Sequence, residues 1–224
     1  MTHVKAAGLS KHFGSRVLWR DVSFSLESGE SLAITGPSGS GKSTLLNCVG
    51  LLESPTSGNL LIGSTDVTAL GAAGRRRIRR DVLGYVFQNY ALIDNATVEY
   101  NLGIAASRVP RHDRKDVLAR ALTRVGLDGR EAANAYELSG GEQQRLAIAR
   151  LIVKQPSVIL ADEPTAALDP ENAERVMSLL HEFTRDGCIL IVATHNAELA
   201  ARCSEALHLG CVATAREDLE RARV

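Results

Sequence analysis

At 224 residues, with 26 basic against 26 acidic side chains and a formal net charge of zero, the chain is long enough for one sizeable domain. The charge balance excludes a general electrostatic pull towards nucleic acid or an anionic membrane surface. No apolar run approaches the roughly 18–20 residues that span a bilayer, and no basic-then-apolar leader precedes the first strand-like segment. No secretory signal is expected, and a membrane role would have to come through a partner.

In chain order, Val4–Leu9, Phe24–Leu26 and Ser31–Thr35 read as strands separated by turn residues such as Gly14-Ser15 and Ser28-Gly29. Phe13 falls in the first turn, and a loop aromatic by itself reads as a packing residue. Ser31–Thr35 leads directly into Gly36-Pro37-Ser38-Gly39-Ser40-Gly41-Lys42-Ser43-Thr44, which fits the G-x-x-x-x-G-K-[ST] phosphate loop, and Ser43–Val49 then reads as a helix. Glycines at 36, 39 and 41 allow a tight turn that aims backbone N–H groups inward, and the helix N-terminus adds its positive dipole end. Lys42 supplies a point charge for the β- and γ-phosphates, and the Ser43 hydroxyl can ligate Mg²⁺. A nucleotide-binding protein is expected.

Leu60–Gly63 and Leu83–Phe87 read as further short strands, the second ending at the polar amide of Gln88. Between them Arg75-Arg76-Arg77-Ile78-Arg79-Arg80 reads as a solvated loop or helix end, with a partner or lipid-headgroup contact as the alternative. No interleaved aromatics support base stacking. From about 89 to 155 the pattern turns helical: Val117, Leu118, Ala121, Leu122 and Val125 recur at helix spacing, and Gly126 and Gly129 follow as stop signals. Ser139 and Glu142 in Leu138-Ser139-Gly140-Gly141-Glu142 form a capping box. The same helix start, with two glycines, is also a second anion site with no phosphate of its own.

Val158–Ala161 reads as a buried strand ending in Asp162 and Glu163, suited respectively to holding a Mg²⁺ shell and polarising an attacking water. Pro164 stops the strand, and Ala166–Asp169 forms a turn before a helix that buries Val176, Leu179, Leu180 and Phe183. Ile189–Ala193 is the next buried strand, capped by Thr194-His195. Of the six histidines, His195 stands at a parallel strand's carboxyl end, where ligands sit in such sheets. Cys48, Cys188, Cys203 and Cys211 show no C-x-x-C spacing and read as reduced, with Cys48 and Cys188 as packing residues, as suits a reducing cytosol.

The ordered set Gly36–Thr44, Gln88, Leu138–Glu142, Val158–Glu163, Ala167–Asp169 and His195 resembles the ATP-binding-cassette family over almost the whole chain. The resemblance implies an α/β fold: a P-loop ATPase core of parallel sheet, a small amino-terminal antiparallel region and an inserted helical subdomain. Residues 1–224 would form a single nucleotide-binding domain, with 1–88 and 156–224 as core and 89–155 as the helical part, ending at Val224 without a regulatory extension. It further implies that Phe13 stacks on adenine, Gln88 touches Mg²⁺ and the lytic water and signals to a membrane partner, and His195 contacts the γ-phosphate. Ser139 and Gly141, with Gly140 between them, would bind the γ-phosphate held by the opposite subunit of a head-to-tail homodimer. ATP and Mg²⁺ are the implied cofactors. The implied partner is a separate transmembrane permease, and the implied place is the cytoplasmic face of the cell membrane.

More narrowly, Pro55-Thr56-Ser57-Gly58, Gly84–Gln88 and Leu160–Thr165 resemble the branch that contains lipoprotein-releasing, macrolide-exporting and bacteriocin-exporting ATPases and the cell-division ATPase. Phe87–Ile93 leans towards bacteriocin export. An exporter subunit is therefore expected, with a cell-division-type signalling ATPase as the alternative. A soluble cassette ATPase of translation or DNA maintenance would carry a second cassette or a long coiled coil, and this chain has neither. Two departures stand out: Ala166-Ala167 where the branch usually has Gly-Asn, and Glu142 where glutamine is more frequent.

Overall fold

The computed structural model describes residues 2–210, so the expectations for Cys211 and for the chain end at Val224 lie outside the described residues. The strands are β1 (Val4–Phe13), β2 (Arg16–Leu26), β3 (Ser31–Thr35), β4 (Ser57–Ile62), β5 (Thr65–Asp66), β6 (Leu83–Val86), β7 (Val158–Asp162), β8 (Ile189–Ala193) and β9 (Glu205–His208). The helices are α1 (Lys42–Val49), α2 (Ala72–Asp81), α3 (Val98–Gly103), α4 (Arg114–Val125), α5 (Gly140–Lys154), α6 (Pro170–Arg185) and α7 (Ala197–Ala201).

Five strands form a parallel sheet in the order β6-β7-β8-β3-β9, and four form an antiparallel sheet in the order β2-β1-β4-β5. The parallel strands are apolar without alternation because both of their faces are covered. Ile159 and Ala161 of β7 face one cluster with Leu190 and Val192, filled from α3, α4, α5 and α6. Val158 and Leu160 face the other, with Leu32 and Ile34, filled from α1 and the antiparallel sheet. Strand β7 is thus a partition between two cores.

The antiparallel sheet is larger than its sequence signal. Strands β1 and β2 pair from Val4–Leu26 to Phe13–Arg16, so Gly14-Ser15 is a two-residue hairpin loop and Phe13 ends a strand rather than sitting in the turn. Register shifts between Ala6 and His12 break the period-two pattern, which hides the strand's second half from sequence reading. The arginine cluster is also more ordered than a loop: it forms the body of α2, which buries only Ile78. Its like charges are dispersed onto carbonyls. Arg75 Nε donates to Leu70 O at 3.0 Å and Arg79 Nη1 to Leu51 O at 2.8 Å, while Arg76 and Arg77 stay exposed. Arg79 and Arg80 also occupy the last turn, where the helix dipole favours cations.

Cys48 and Cys188 are buried and free, and burial pushes their thiols up to about 11 and about 12 respectively, which keeps them inert. Among the described residues no helix is long and apolar enough to cross a membrane.

Because β7 packs against two separate cores, Ile159→Ala and Leu160→Ala open cavities on opposite sides of one strand. Each is expected to lower unfolding free energy by about 2–5 kcal/mol in urea titrations.

Candidate functional site

The polar ends of β3, β6, β7 and β8 meet at the carboxyl edge of the parallel sheet, where such sheets hold ligands. A cleft of about 550 Å³ opens there, lined by Phe13, Gly39, Lys42, Ser43, Gln88, Glu163 and His195 among others. Those groups, separated by up to 182 positions in the chain (13 to 195), converge because β3 pairs with β8 and β8 with β7. A second cavity, of about 310 Å³, lies near Gln155–Ser157 and Cys188, at the opposite end of β7 and β8 from these groups.

The phosphate loop joins β3 to α1. Gly36 has φ +142° and Gly41 has φ +91°. A Cβ at Gly36 would stand 2.3 Å from Leu209 O, and one at Gly41 would stand 2.5 Å from the Leu18 side chain, so neither position admits a larger residue. Gly41 caps α1, whose first turn carries no acidic residue of its own, so the dipole's positive end faces the cleft. The Lys42 ammonium donates to Gly36 O at 3.0 Å and Pro37 O at 3.2 Å, which holds it over the loop. Ser40 Oγ is buried beside Gly36 with no protein partner.

At the end of β7, Asp162 Oδ1 accepts a hydrogen bond from Ser43 Oγ at 3.0 Å. Burial raises the Asp162 carboxyl pKa, and the nearby Glu163 charge adds to the rise; Ser43 and Lys42 oppose it. A half-buried carboxylate and a hydroxyl form an all-oxygen donor pair suited to a hard cation. No described cluster of three or more His, Cys, Asp or Glu forms a closed metal cage. That combination fits Mg²⁺, which takes one or two protein oxygens and draws the rest from phosphate and water. Ser43 and Asp162 would hold it, with the Gln88 amide at the same cleft.

Glu163 has φ +46°, a left-handed backbone that costs a non-glycine residue about 1–3 kcal/mol. Its N–H donates to Ala193 O at 2.9 Å, and its carbonyl accepts from Ala166 N at 3.2 Å. The side chain, only 15% exposed, is oriented at both oxygens: His195 Nδ1 lies 2.8 Å from Oε1, and Thr194 Oγ1 donates to Oε2 at 3.3 Å. One carboxylate of the acidic pair is therefore turned towards the hydroxyl of the phosphate loop and the other towards the histidine. The left-handed backbone at Glu163 separates the two directions.

Phe13 is 55% exposed at the cleft rim, with Lys11 Nζ 4.8 Å from its ring centroid. Arg16, directly opposite Phe13 in the hairpin, and Leu18 also line the cleft. No motif singles them out, although a two-residue loop at Gly14-Ser15 implies that 13 and 16 are paired. Ser139, Gly140 and Gly141 do not line this cleft. They begin α5, where Ser139 and Glu142 make the expected capping box: Glu142 Oε2 accepts from Ser139 N at 2.8 Å and Ser139 Oγ accepts from Glu142 N at 3.3 Å. That first hydrogen bond holds the Glu142 carboxyl below its ordinary range, so the helix start carries a negative charge, with Arg130 Nη2 at 3.8 Å.

The raised Asp162 pKa has a stability consequence. Its folded value lies above the unfolded one, so its favourable contribution is full below the unfolded pKa and is lost as pH rises through the folded pKa. At neutral pH the ionised group opposes folding. Asp162→Asn is therefore expected to melt no lower than the parent in nucleotide-free buffer at pH 7, with the gap narrowing as pH falls towards the ordinary carboxyl range, while Mg²⁺-dependent nucleotide affinity falls.

Comparison with known proteins identifies the family. Residues 19–166 match the family model described as ABC transporter. The lipoprotein-releasing system ATP-binding protein LolD 2 of Rhodospirillum rubrum is 42% identical over 215 residues, which cover 92% of this chain and 93% of that protein. The pyoverdine export ATP-binding/permease protein PvdT of Pseudomonas syringae pv. syringae is 41% identical over 85% of this chain. The macrolide export ATP-binding/permease protein MacB of Shigella flexneri is 40% identical, also over 85%. The chain spans only 29% of PvdT and 30% of MacB. Among solved structures, the dimeric bacterial ABC transporter cassette MJ0796 superposes with TM-score 0.85 at 32% identity, over 92% of this chain and 94% of that one. A post-hydrolysis MJ0796 dimer bound to ADP and Pi gives 0.84 at 34% identity, over 94% and 97%. With a family model matched over most of its length and a relative of nearly equal length at 42% identity, this chain belongs to the ABC transporter family, as one of its ATPase cassettes.

Proposed function

We propose that the chain is the ATP-hydrolysing subunit of a bacterial exporter and drives a separate membrane permease from the cytoplasmic face. The observation that carries the hydrolytic role is the braced Glu163 carboxylate at the mouth of the phosphate-loop cleft. LolD 2 is named for lipoprotein release, and MacB and PvdT for export; their likeness supports an export role and leaves the transported compound open among lipoprotein, peptide and drug.

In this reading Lys42 and the loop amides bind the β- and γ-phosphates, and Phe13 stacks on the adenine. Ser43, Asp162 and Gln88 would hold Mg²⁺, which neutralises charge on the phosphates when bound. Glu163 takes a proton from the attacking water as its oxygen adds in line to the γ-phosphorus, while the bond from that phosphorus to the β,γ-bridging oxygen breaks and ADP leaves. His195, fixed through Nδ1, presents its other ring nitrogen to the γ-phosphate and stabilises the charge that spreads over its oxygens. The start of α5 lies outside the cleft, which favours its use in trans: Ser139, Gly140 and Gly141 would contact the γ-phosphate bound by a second copy, closing a head-to-tail dimer around two ATP molecules. The MJ0796 dimers support that assembly. The Glu142 charge weakens such an anion site relative to glutamine.

Glu163→Gln is expected to retain ATP affinity, lower kcat by about 100-fold or more, and shift from monomer to dimer with Mg-ATP in size-exclusion chromatography with light scattering. Rapid turnover by that variant would remove Glu163 from its role, and adding Ser139→Arg should abolish the dimer while sparing monomer binding. Lys42→Ala removes a charge-assisted contact worth about 1.5–3 kcal/mol, so nucleotide titration should show affinity lower by about 10- to 100-fold.

A further inference from the structure

Glu163 is strained twice over. Its φ of +46° is left-handed, and the following residue is Pro164, whose ring normally forces the preceding residue into extended backbone. Such a conformation persists only where its surroundings hold it from both sides. On the amino side its N–H is tied to Ala193 O of β8 at 2.9 Å. On the carboxyl side its own carbonyl accepts from Ala166 N at 3.2 Å, and a second tie comes from a distant element. Gln144 of α5 donates through Nε2 to Pro164 O at 2.8 Å.

Gln144 is 1% exposed and sits on α5 beside the fully buried Leu146, Ala147 and Ile148. A buried amide there costs stability unless it is hydrogen-bonded, so an apolar residue would suit the packing better. Its hydrogen bond acts at an informative place. The ring of Pro164 fixes φ, so anchoring the Pro164 carbonyl leaves the 163–164 peptide little freedom to rotate. The direction of the Glu163 side chain follows from that peptide. We propose that Gln144 is a positioning residue for hydrolysis: it locks the Pro164 carbonyl so that Glu163 stays left-handed, with its carboxylate against His195 and over the cleft. This rests on the reading of Glu163 as the group that takes the water's proton.

Gln144 touches neither the phosphate loop nor the cleft, so its loss should act on turnover and not on nucleotide binding. The test is a double-mutant cycle on the full chain with Gln144→Met, which keeps the volume and removes the donor. In the Glu163 background kcat is expected to fall by about 10-fold or more, with KM and ATP affinity within about twofold. In the Glu163→Gln background, followed by single turnover, the same change should cost less than about twofold, because the group it positions is already gone. An equal loss in both backgrounds, a loss of ATP affinity, or an unchanged kcat would each overturn the proposal. If Gln144→Met does not melt cooperatively, Gln144→Leu, which also lacks the donor, is read in the same cycle. Fast turnover by Glu163→Gln alone would instead refute the reading of Glu163, so the two failures are distinguishable.

Discussion

The burial of β7 on both faces is the constraint from which the site follows. Val158 to Ala161 carry no exposed surface to speak of, and alternate residues are committed to two different cores. A strand so held cannot slip without carrying apolar side chains to the wrong side. The point at which it leaves the cores is therefore fixed, and there the chain changes from Ala161 to Asp162 and Glu163. Strand β8 holds the same boundary one strand away, with Ala193 fully buried and Thr194 and His195 following. The cleft is the place where two rigid apolar strands run out together.

That rigidity allows an unfavourable arrangement to persist. Asp162 is held partly out of water beside another carboxylate, and Glu163 keeps a backbone that costs about 1–3 kcal/mol. Each hydrogen bond around them contributes only about 0.5–1.5 kcal/mol net, so no single contact offsets the strain. The Ala193 carbonyl, Ala166 amide, His195, Thr194 and Gln144 do so jointly. Helix α5 ties a second strand-end turn as well: Arg150 donates from both guanidinium nitrogens to the carbonyls of Tyr90 and Ala91, just beyond Gln88. One helix thus braces the turns that present both Glu163 and Gln88, while its own first turn carries Ser139–Gly141.

The phosphate loop, the acidic pair and the capping box were legible in the sequence because each is a short motif whose spacing is local, whereas the roles expected of Phe13, Gln88 and His195 came with the family resemblance. A glycine loop needs its glycines within a few residues, a capping box needs positions i and i+3, and a buried parallel strand shows as an unbroken apolar run. What was not legible depends on longer range or on masked patterns. The second half of β1 is hidden by register shifts, and α2 by a run of five arginines, of which Arg79 is held by the Leu51 carbonyl 28 residues away. Gln144 sits in a helix without any motif value of its own, and its partner lies 20 residues away across a turn.

The sequence by itself determined the phosphate loop, the acidic pair and the helix start at Ser139, since each rests on residue type and near-neighbour spacing, and the family resemblance that those motifs carry implied the fold class. Only the tertiary structure decided which carboxylate faces Ser43 and which faces His195, because that depends on the left-handed turn at Glu163. It alone decided that Phe13 stands opposite Arg16 at the cleft rim, and that α5 reaches the turn at Glu163 and Pro164 through Gln144. Those outcomes are set by strand pairing and by contacts between elements distant in the chain, where one residue's conformation is fixed by what packs against it.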